Sequence, residues 1–424
     1  MSPLVRHRRA RRGRRASAYL LVLGSTVLLT GMIFGALELE RAQSSSASLS
    51  IDASDARLAA QSGLEIAIDM VAAAGSSWRS NATLRSGSWA SGMLIGRAKV
   101  NIGAYDPIDG NIATGDQDTV VVRSIATVGN AVQAVTCTLT PTYTPSVLVT
   151  DYSIATGDQV SVSGTVAAAL PMISWNRVSA SGATITPKVI ANSTTGSTFA
   201  GGTGNNTLAS STLPGNGFID TYYTPTATSI AYSALSSGRL EKCVLGPRTN
   251  PFGAGNAAGV YQIDCNGSDI TIRNCRIVGT LILINPGSNS RIDNNVSFEQ
   301  ASDGMPCLLT KGRGLTISIA SSTLSESVVG VNFNPGSVPY QSVGDTDTSD
   351  TYPTGFNGLI YLDGDSSISG TVSCSGSIVV NGKLDLSGTL TINPDLNART
   401  TPPPGFRTGP TMTVSGSSIV QYIP

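Results

Sequence analysis

The sequence predicts an α+β amino-terminal module, a long membrane-spanning helix with an antiparallel β-meander, followed by an all-β parallel solenoid. Three observations predict it. A charge-free apolar run extends from Ala16 to Leu37. Segments with strand-like alternation follow it, and in the carboxy-terminal half six glycines recur at every sixth position from Gly358 to Gly388.

The apolar run holds 22 residues, about 33 Å of helix, enough for the roughly 30 Å hydrocarbon layer of a bilayer. A secretory core is only about 7–15 residues long and ends at a small-x-small junction. Here the run ends in Gly35-Ala36-Leu37-Glu38, so the segment is expected to stay. Arg6, Arg8, Arg9, Arg11, Arg12, Arg14 and Arg15 precede it, whereas Glu38, Glu40 and Arg41 follow. The positive-inside bias then puts the amino end in the cytoplasm. The expected location is a single-pass inner-membrane protein with the bulk of the chain periplasmic or extracellular. The divisions read from the sequence are a basic leader over 1–15, a membrane helix over 16–37, its continuation outside over 38–75, a β-meander over 76–149, an irregular parallel solenoid with long loops over 150–393, and a Pro-rich tail with a capping strand over 394–424.

Charged residues make up only 13% of the chain, and Gly and Pro together supply 67 of 424. With Val, Ile and Leu recurring in alternation, that composition fits a turn-rich β protein rather than a disordered one. Removing the seven leader arginines leaves 20 basic against 27 acidic side chains, a net of −7, which disfavours nucleic acid as a partner. The single histidine, His7, lies before the membrane segment. No Ser-His-Asp triad, Cys-His pair or histidine-bound zinc can form in the exported part, and the chain is read as not an enzyme. Cys137, Cys243, Cys265, Cys275, Cys307 and Cys374 form no C-x-x-C. Outside the cytoplasm one or two disulfides are allowed, with Cys265 and Cys275 the nearest pair; buried free thiols inside the β-structure are the alternative.

Beyond the membrane, Leu58, Gln61, Leu64, Ile68 and Val71 are three or four apart, one face of an amphipathic helix that runs to Gly75. Then come "GMLIGRAKVNIGAYD", "DTVVVRSIATV" and "AVQAVTCTLTP", the last two joined by Gly129-Asn130, a two-residue hairpin turn. This order, with the "DARLAAQSGLEIA" stretch from Asp55 to Ala67, resembles the minor pilins of type IV pili and the pseudopilins of type II secretion, in the group with a basic leader. The resemblance implies leader-peptidase processing between Gly13 and Arg14. Two departures stand against it: Arg14 occupies the place of an apolar residue, and Ala18 that of the family's glutamate. An uncleaved anchor is the alternative. Gly24, Gly31 and Gly35 share nearly one helix face and offer a groove for another helix.

Gly358, Gly364, Gly370, Gly376, Gly382 and Gly388 are read as solenoid corners, each preceded by Asn, Asp or Ser. The residues two and four positions later are apolar, except Ser366. Short strands ended by glycine corners wind into a parallel coil, about 18 residues per turn if three faces close it. The pattern resembles the bactofilin repeat or a right-handed β-helix. Looser versions occur in Gln159–Val166 and Asp269–Asn285, while "NSTTGSTFAGGTGNNTLASSTLPGNG" reads as an unpacked loop.

No catalytic or cofactor-binding residue is assigned. Asp264, Asp269, Arg273, Arg276, Arg291, Asp293 and Glu299 are the charges a polysaccharide-cleaving site would need, but alternation turns Arg273 and Asp269 outward. No cofactor is expected, with Ca2+ the single candidate: Asp106, Asp109, Asp116 and Asp118, or Asp345, Asp347 and Asp350, supply oxygen ligands without EF-hand spacing. What the resemblance implies for function is an exported structural or assembly component of a type IV pilus-like or type II secretion-like apparatus. Its partners would be the membrane and other pilin-like subunits or envelope assembly proteins. An anchored β-helix gripping surface polysaccharide is the alternative, and a lyase or glycosidase the least favoured.

Overall fold

The computed structural model describes residues 11–115, 118–196, 199–320, 323–416 and 418–423. The chain forms two compact units, one from 1–142 with 409–424 and the other from 143–408.

In the first unit, helix α1 (Arg11–Ala74) is one 64-residue helix. Its carboxy-terminal part buries Ala56, Ala59, Ala60, Leu64, Ala67 and Val71. This face is shifted from the one expected, since Leu58 is exposed. Small residues decide it: at Gly63 a Cβ would come within 2.7 Å of Val100 Cγ1, so the helix can lie this close to the sheet only with glycine there. The sheet is built from β1 (Ser88–Ile95), β2 (Ala98–Tyr105), β3 (Val120–Val128) and β4 (Ala131–Pro145) in sequential order. These strands are antiparallel neighbours, and Val128 pairs with Ala131 around the Gly129-Asn130 turn. Trp78, Trp89, Val100, Ile102, Val120, Val122, Val135, Cys137 and Leu139 fill the core beneath.

The tail corrects the expected capping strand. Its strands Arg407–Val414 and Val420–Tyr422 both pair with β4. Thr140 and Thr142 hydrogen-bond with Thr413, and the Thr411 hydroxyl donates to the Thr142 carbonyl at 3.3 Å. The first sheet is therefore completed by both ends of the chain, and the whole second unit is inserted between two of its strands.

The second unit consists mainly of a 14-stranded and a 10-stranded sheet, whose described pairings are parallel. Ile360 pairs with Ile378, Ser366 with Leu384 and Thr371 with Thr389, so in this region each strand lies on the one 18 residues earlier. Ile378, Val380, Leu384, Leu386, Leu390 and Ile392 are all buried, as their spacing predicts. Ser366, the exception to the apolar pattern, is satisfied by donating to Gly364 O and accepting from Leu315 N. Gly358, Gly364 and Gly370 turn with φ of 129°, 132° and 73°. Gly376, Gly382 and Gly388 come one repeat later and lie against them. A Cβ on Gly388 would be 2.5 Å from Gly370 N.

The order of strands is not the order of the chain. Across the 10-stranded sheet run Thr203–Asn205, Val189–Ala191, Met172–Ser174, Ile154–Thr156, Ile378–Val380, Leu359–Leu362, Pro306–Lys311, Thr280–Ile284, Val260–Asp264 and Thr228–Ser229. The chain enters mid-sheet at Ile154 and works outward to one edge. Residues 206–227 then cross to the opposite edge, from which the chain works back until Ile378 lies beside Ile154. The crossing segment is packed, not loose as the sequence suggested. Tyr361 donates to Pro214 O at 3.1 Å, Asn216 to Asp363 at 2.6 Å, and Lys311 to Asp220 at 2.7 Å. Its Phe218, Ile219 and Tyr223 cover Ala155, Val379, Tyr361, Leu309 and Ile282 on the sheet's outer side.

Candidate functional site

The amino-terminal part of α1 carries the feature that most needs explaining. Tyr19, Leu20, Leu21, Val27, Leu28, Leu29, Met32 and Phe34 are all exposed. The helix is long and apolar enough to cross a membrane. Its hydroxyls are satisfied within the helix: Ser25 donates to Val22 O at 2.9 Å, Thr26 to Leu23 O at 2.8 Å and Thr30 to Thr26 O at 2.7 Å. A segment that satisfies its Ser25, Thr26 and Thr30 hydroxyls internally and exposes large apolar side chains suits lipid, where an unsatisfied donor is costly. Gly24, Gly31 and Gly35 have nothing within 4 Å of where a Cβ would lie. They leave open notches along the rod, where another helix backbone could approach. Gly13 and Arg14 belong to the first turns of α1, and their side chains lie outside the described residues.

Where the rod meets its sheet, Arg97, between β1 and β2, reaches Asp52 at 2.9 Å and Asp55 at 2.6 Å on the helix. Apolar side chains stay exposed beyond the predicted membrane span, at Leu39, Leu49, Ile51 and Leu58.

The acidic stretch after β2 is organised by Arg79. This buried guanidinium donates to Ile112 O at 2.8 Å, Thr114 O at 2.7 Å and Asp118 O at 2.6 Å. Around it, carboxylate oxygens of Asp106, Asp109 and Asp118 lie within 4.8 Å of one another, a donor set suited to a hard cation. Arg79 itself lies 3.9 Å from Asp106 and offsets part of that charge. Asp116 lies outside the described residues. In the second stretch, Asp345 and Asp350 both accept from Asn334, while Asp347 accepts from Ser349.

The charges considered for polysaccharide chemistry are distributed among separate pairs. Arg273 lies 3.8 Å from Glu241 and 3.5 Å from Asp293, which also takes Arg291 at 2.9 Å. Asp269 accepts from the backbone and side chain of Asn289, and Asp264 from Asn266 N. Arg276 is the residue that the alternation misjudges. It is buried, holds Glu299 with two bonds at 2.7 and 3.0 Å, and donates to Phe333, Val338 and Pro339 carbonyls. Its neighbours Cys275 and Ile277 lie in the apolar core as expected, and what buries Arg276 is the segment 333–340, with Tyr340 and Tyr352 against its guanidinium. The sequence signal was a charged residue inside the apolar run Cys275–Val278. Glu326 escaped notice as well. It is buried and accepts from the backbone N–H groups of Phe333 and Asp350 and from the Tyr352 hydroxyl.

No family model and no curated protein matches the chain. Among solved structures, the chain is similar to the competence-associated pilin ComZ from Thermus thermophilus, with 12% identity over 88% of this chain and 98% of that one and a TM-score of 0.28.

Proposed function

We propose that the protein is a membrane-anchored, pilin-like assembly component that carries a β-solenoid head. The two parallel sheets form the walls of that head, and the apparatus it joins is a type IV pilus-like or type II secretion-like one. The observation that carries this reading is the division of labour within one helix. The carboxy-terminal part of α1 buries alanines and Gly63 against its own sheet, while the amino-terminal part exposes every large apolar side chain described from Tyr19 to Leu37. Lipid is the first solvent for such a rod, and the notches at Gly24, Gly31 and Gly35 make it able to exchange lipid for neighbouring helices.

Single cysteines placed along 20–36 in the full chain, followed by oxidative cross-linking in native membranes, test it. Cross-links to another small apolar-helix protein, recurring at helical spacing, are the expected result. A chain that resists carbonate extraction but never cross-links would be a plain anchor, and a chain recovered in the soluble fraction would overturn the proposal. Mass spectrometry of the mature amino terminus reads processing at Gly13–Arg14 in the same preparation.

A further inference from the structure

We propose that Cys243 and Cys275 are joined by a disulfide that staples the edge repeat of the second unit to its neighbour. The proposal rests on the exported head described above. The strands Arg239–Glu241 and Val244–Leu245 both pair with Thr271–Val278, Glu241 opposite Arg273 and Val244 opposite Arg276. Between them, Lys242 N donates to Asn274 O at 3.0 Å and Arg276 N to Cys243 O at 3.1 Å. That register sets Cys243 directly across from Cys275. Both are buried in one apolar core cluster, where the Cys275 thiol donates to Leu240 O, on the strand that carries the chain to Cys243, at 3.9 Å. Neighbouring strands are about 4.8 Å apart, inside the roughly 4.4–6.8 Å Cα separation that a disulfide spans. Cys265, nearer to Cys275 in sequence, instead turns its thiol toward Ile263 O.

The position gives the bond a purpose. Arg239–Glu241 is the last strand in the order of the 14-stranded sheet, so a single neighbouring strand holds it. Edge strands of this kind fray and recruit foreign strands. A covalent link to the adjacent repeat removes that freedom.

The chemistry is a dithiol–disulfide exchange. The Cys243 thiolate attacks the disulfide of an envelope thiol oxidase, giving a mixed disulfide and one oxidase thiol. The Cys275 thiolate then attacks Cys243 Sγ and expels the second oxidase thiol. Two electrons and the protein's two thiol protons pass to the oxidase, which ends as a dithiol. Contact with Cys243, then burial, pushes the Cys275 thiol up, so it is a poor nucleophile once packed. Exchange therefore belongs to the stage before residues 239–245 dock, and docking afterwards shields the bond from reductant.

The test uses the full chain taken from membranes, quenched in acid, alkylated under denaturant without reductant, and digested for mass spectrometry. Four alkylated cysteines, 137, 265, 307 and 374, with linked peptides containing 243 and 275, are expected. Six alkylated cysteines, or a link elsewhere, overturn the proposal. A parallel sample is reduced in urea and refolded with oxidised glutathione. A 243–275 link there but not in the membrane sample would leave the geometry standing and locate the failure in the export reading; no link in either would sink the geometry. Cys243→Ser and Cys275→Ser should each lower the unfolding midpoint by about 5 °C. Unfolding in urea with dithiothreitol and refolding under reductant, which opens the shielded bond, should produce the same fall in the parent and none in the variants.

Discussion

Ile378 lies in parallel register beside Ile154, and both are fully buried. This contact is the seam at which the last repeat of the second unit closes against its first. It makes two runs of chain, wound from different edges, share one apolar core cluster. The second unit should therefore unfold in a single transition. Ile154→Ala and Ile378→Ala should each cost about 2–5 kcal/mol, and the double variant should depart from additivity by about 0.5–3 kcal/mol. Leu281→Ala, four strands away in the same sheet, should add independently to Ile154→Ala. Urea titrations of the detergent-solubilised chain measure all of these; two separate transitions would contradict the seam.

The stacked glycines permit a comparison between closely packed and open positions. Gly388→Ala introduces a methyl 2.5 Å from Gly370 N and should destabilise the second unit by about 1–3 kcal/mol. Gly215→Ala, in a crossing segment with open space around it, should be neutral or stabilising by about 0.4–1 kcal/mol. Thermal midpoints of the two variants should move in opposite directions or differ by several degrees.

Arg276→Met removes the guanidinium that ties Glu299 to three carbonyls of the loop following residue 326. The partly buried Glu299 is left unpaired and three carbonyls lose their donor, each buried acceptor left unmade costing about 1–3 kcal/mol, so proteolysis within 326–354 should accelerate well before the rest of the unit is cut. Arg276→Lys should not restore protection, because an ammonium cannot hold Glu299 with a planar fork and reach the carbonyls as well. Protease digestion followed by peptide mapping reads both.

How much of this was legible in the sequence depended on distance along the chain. The apolar run, the Gly129-Asn130 hairpin and the glycine spacing are local, so each declares itself within a few residues. The earlier repeat is only partly readable: Ile154, Val160, Val166, Met172 and Val178 are six apart and all buried, but of the positions two residues before them only 164 is glycine, so the pattern shows in Gln159–Val166 alone. The pairing of 407–414 with β4, the seam at Ile378 and the partner of Cys275 bring together residues far apart in the chain. No local pattern encodes them. The burial of Arg276 comes from residues 333–340 and Tyr352 folding over it, a cover from far along the chain that alternation cannot foresee. The alanine-lined face of α1 is hidden for a different reason: contact there follows small side chains, Ala56, Ala59, Ala60 and Ala67, while the bulkier Leu58 faces outward.

The loop around Asp350 should respond to pH in the opposite sense from Asp269. Burial, then the nearby Asp345 and Glu326 carboxylates, hold Asp350 above its ordinary value, with Asn334 partly opposing them. The folded chain takes up this proton at a higher pH than the unfolded chain does. The penalty therefore fades as pH falls from the folded value toward the unfolded one near about 3.9. Hydrogen bonds from the Asn289 side chain and backbone hold Asp269 below its ordinary value. Its contribution is present above about 3.9 and is lost as pH falls through the folded value. Hydrogen exchange should show the loop over 326–354 gaining protection between neutral pH and that range, and Asp350→Asn should flatten the response. Protection falling steadily with pH would contradict this account.

The Ser146 amide donates to the Phe406 carbonyl at 2.8 Å, so the inserted unit begins and ends at practically one point. For the first unit's strand order, an insertion of that kind is no more demanding than a hairpin turn. Recombination at these two junctions would exchange the whole of 146–406 while leaving the pairing of β4 with 407–414 intact.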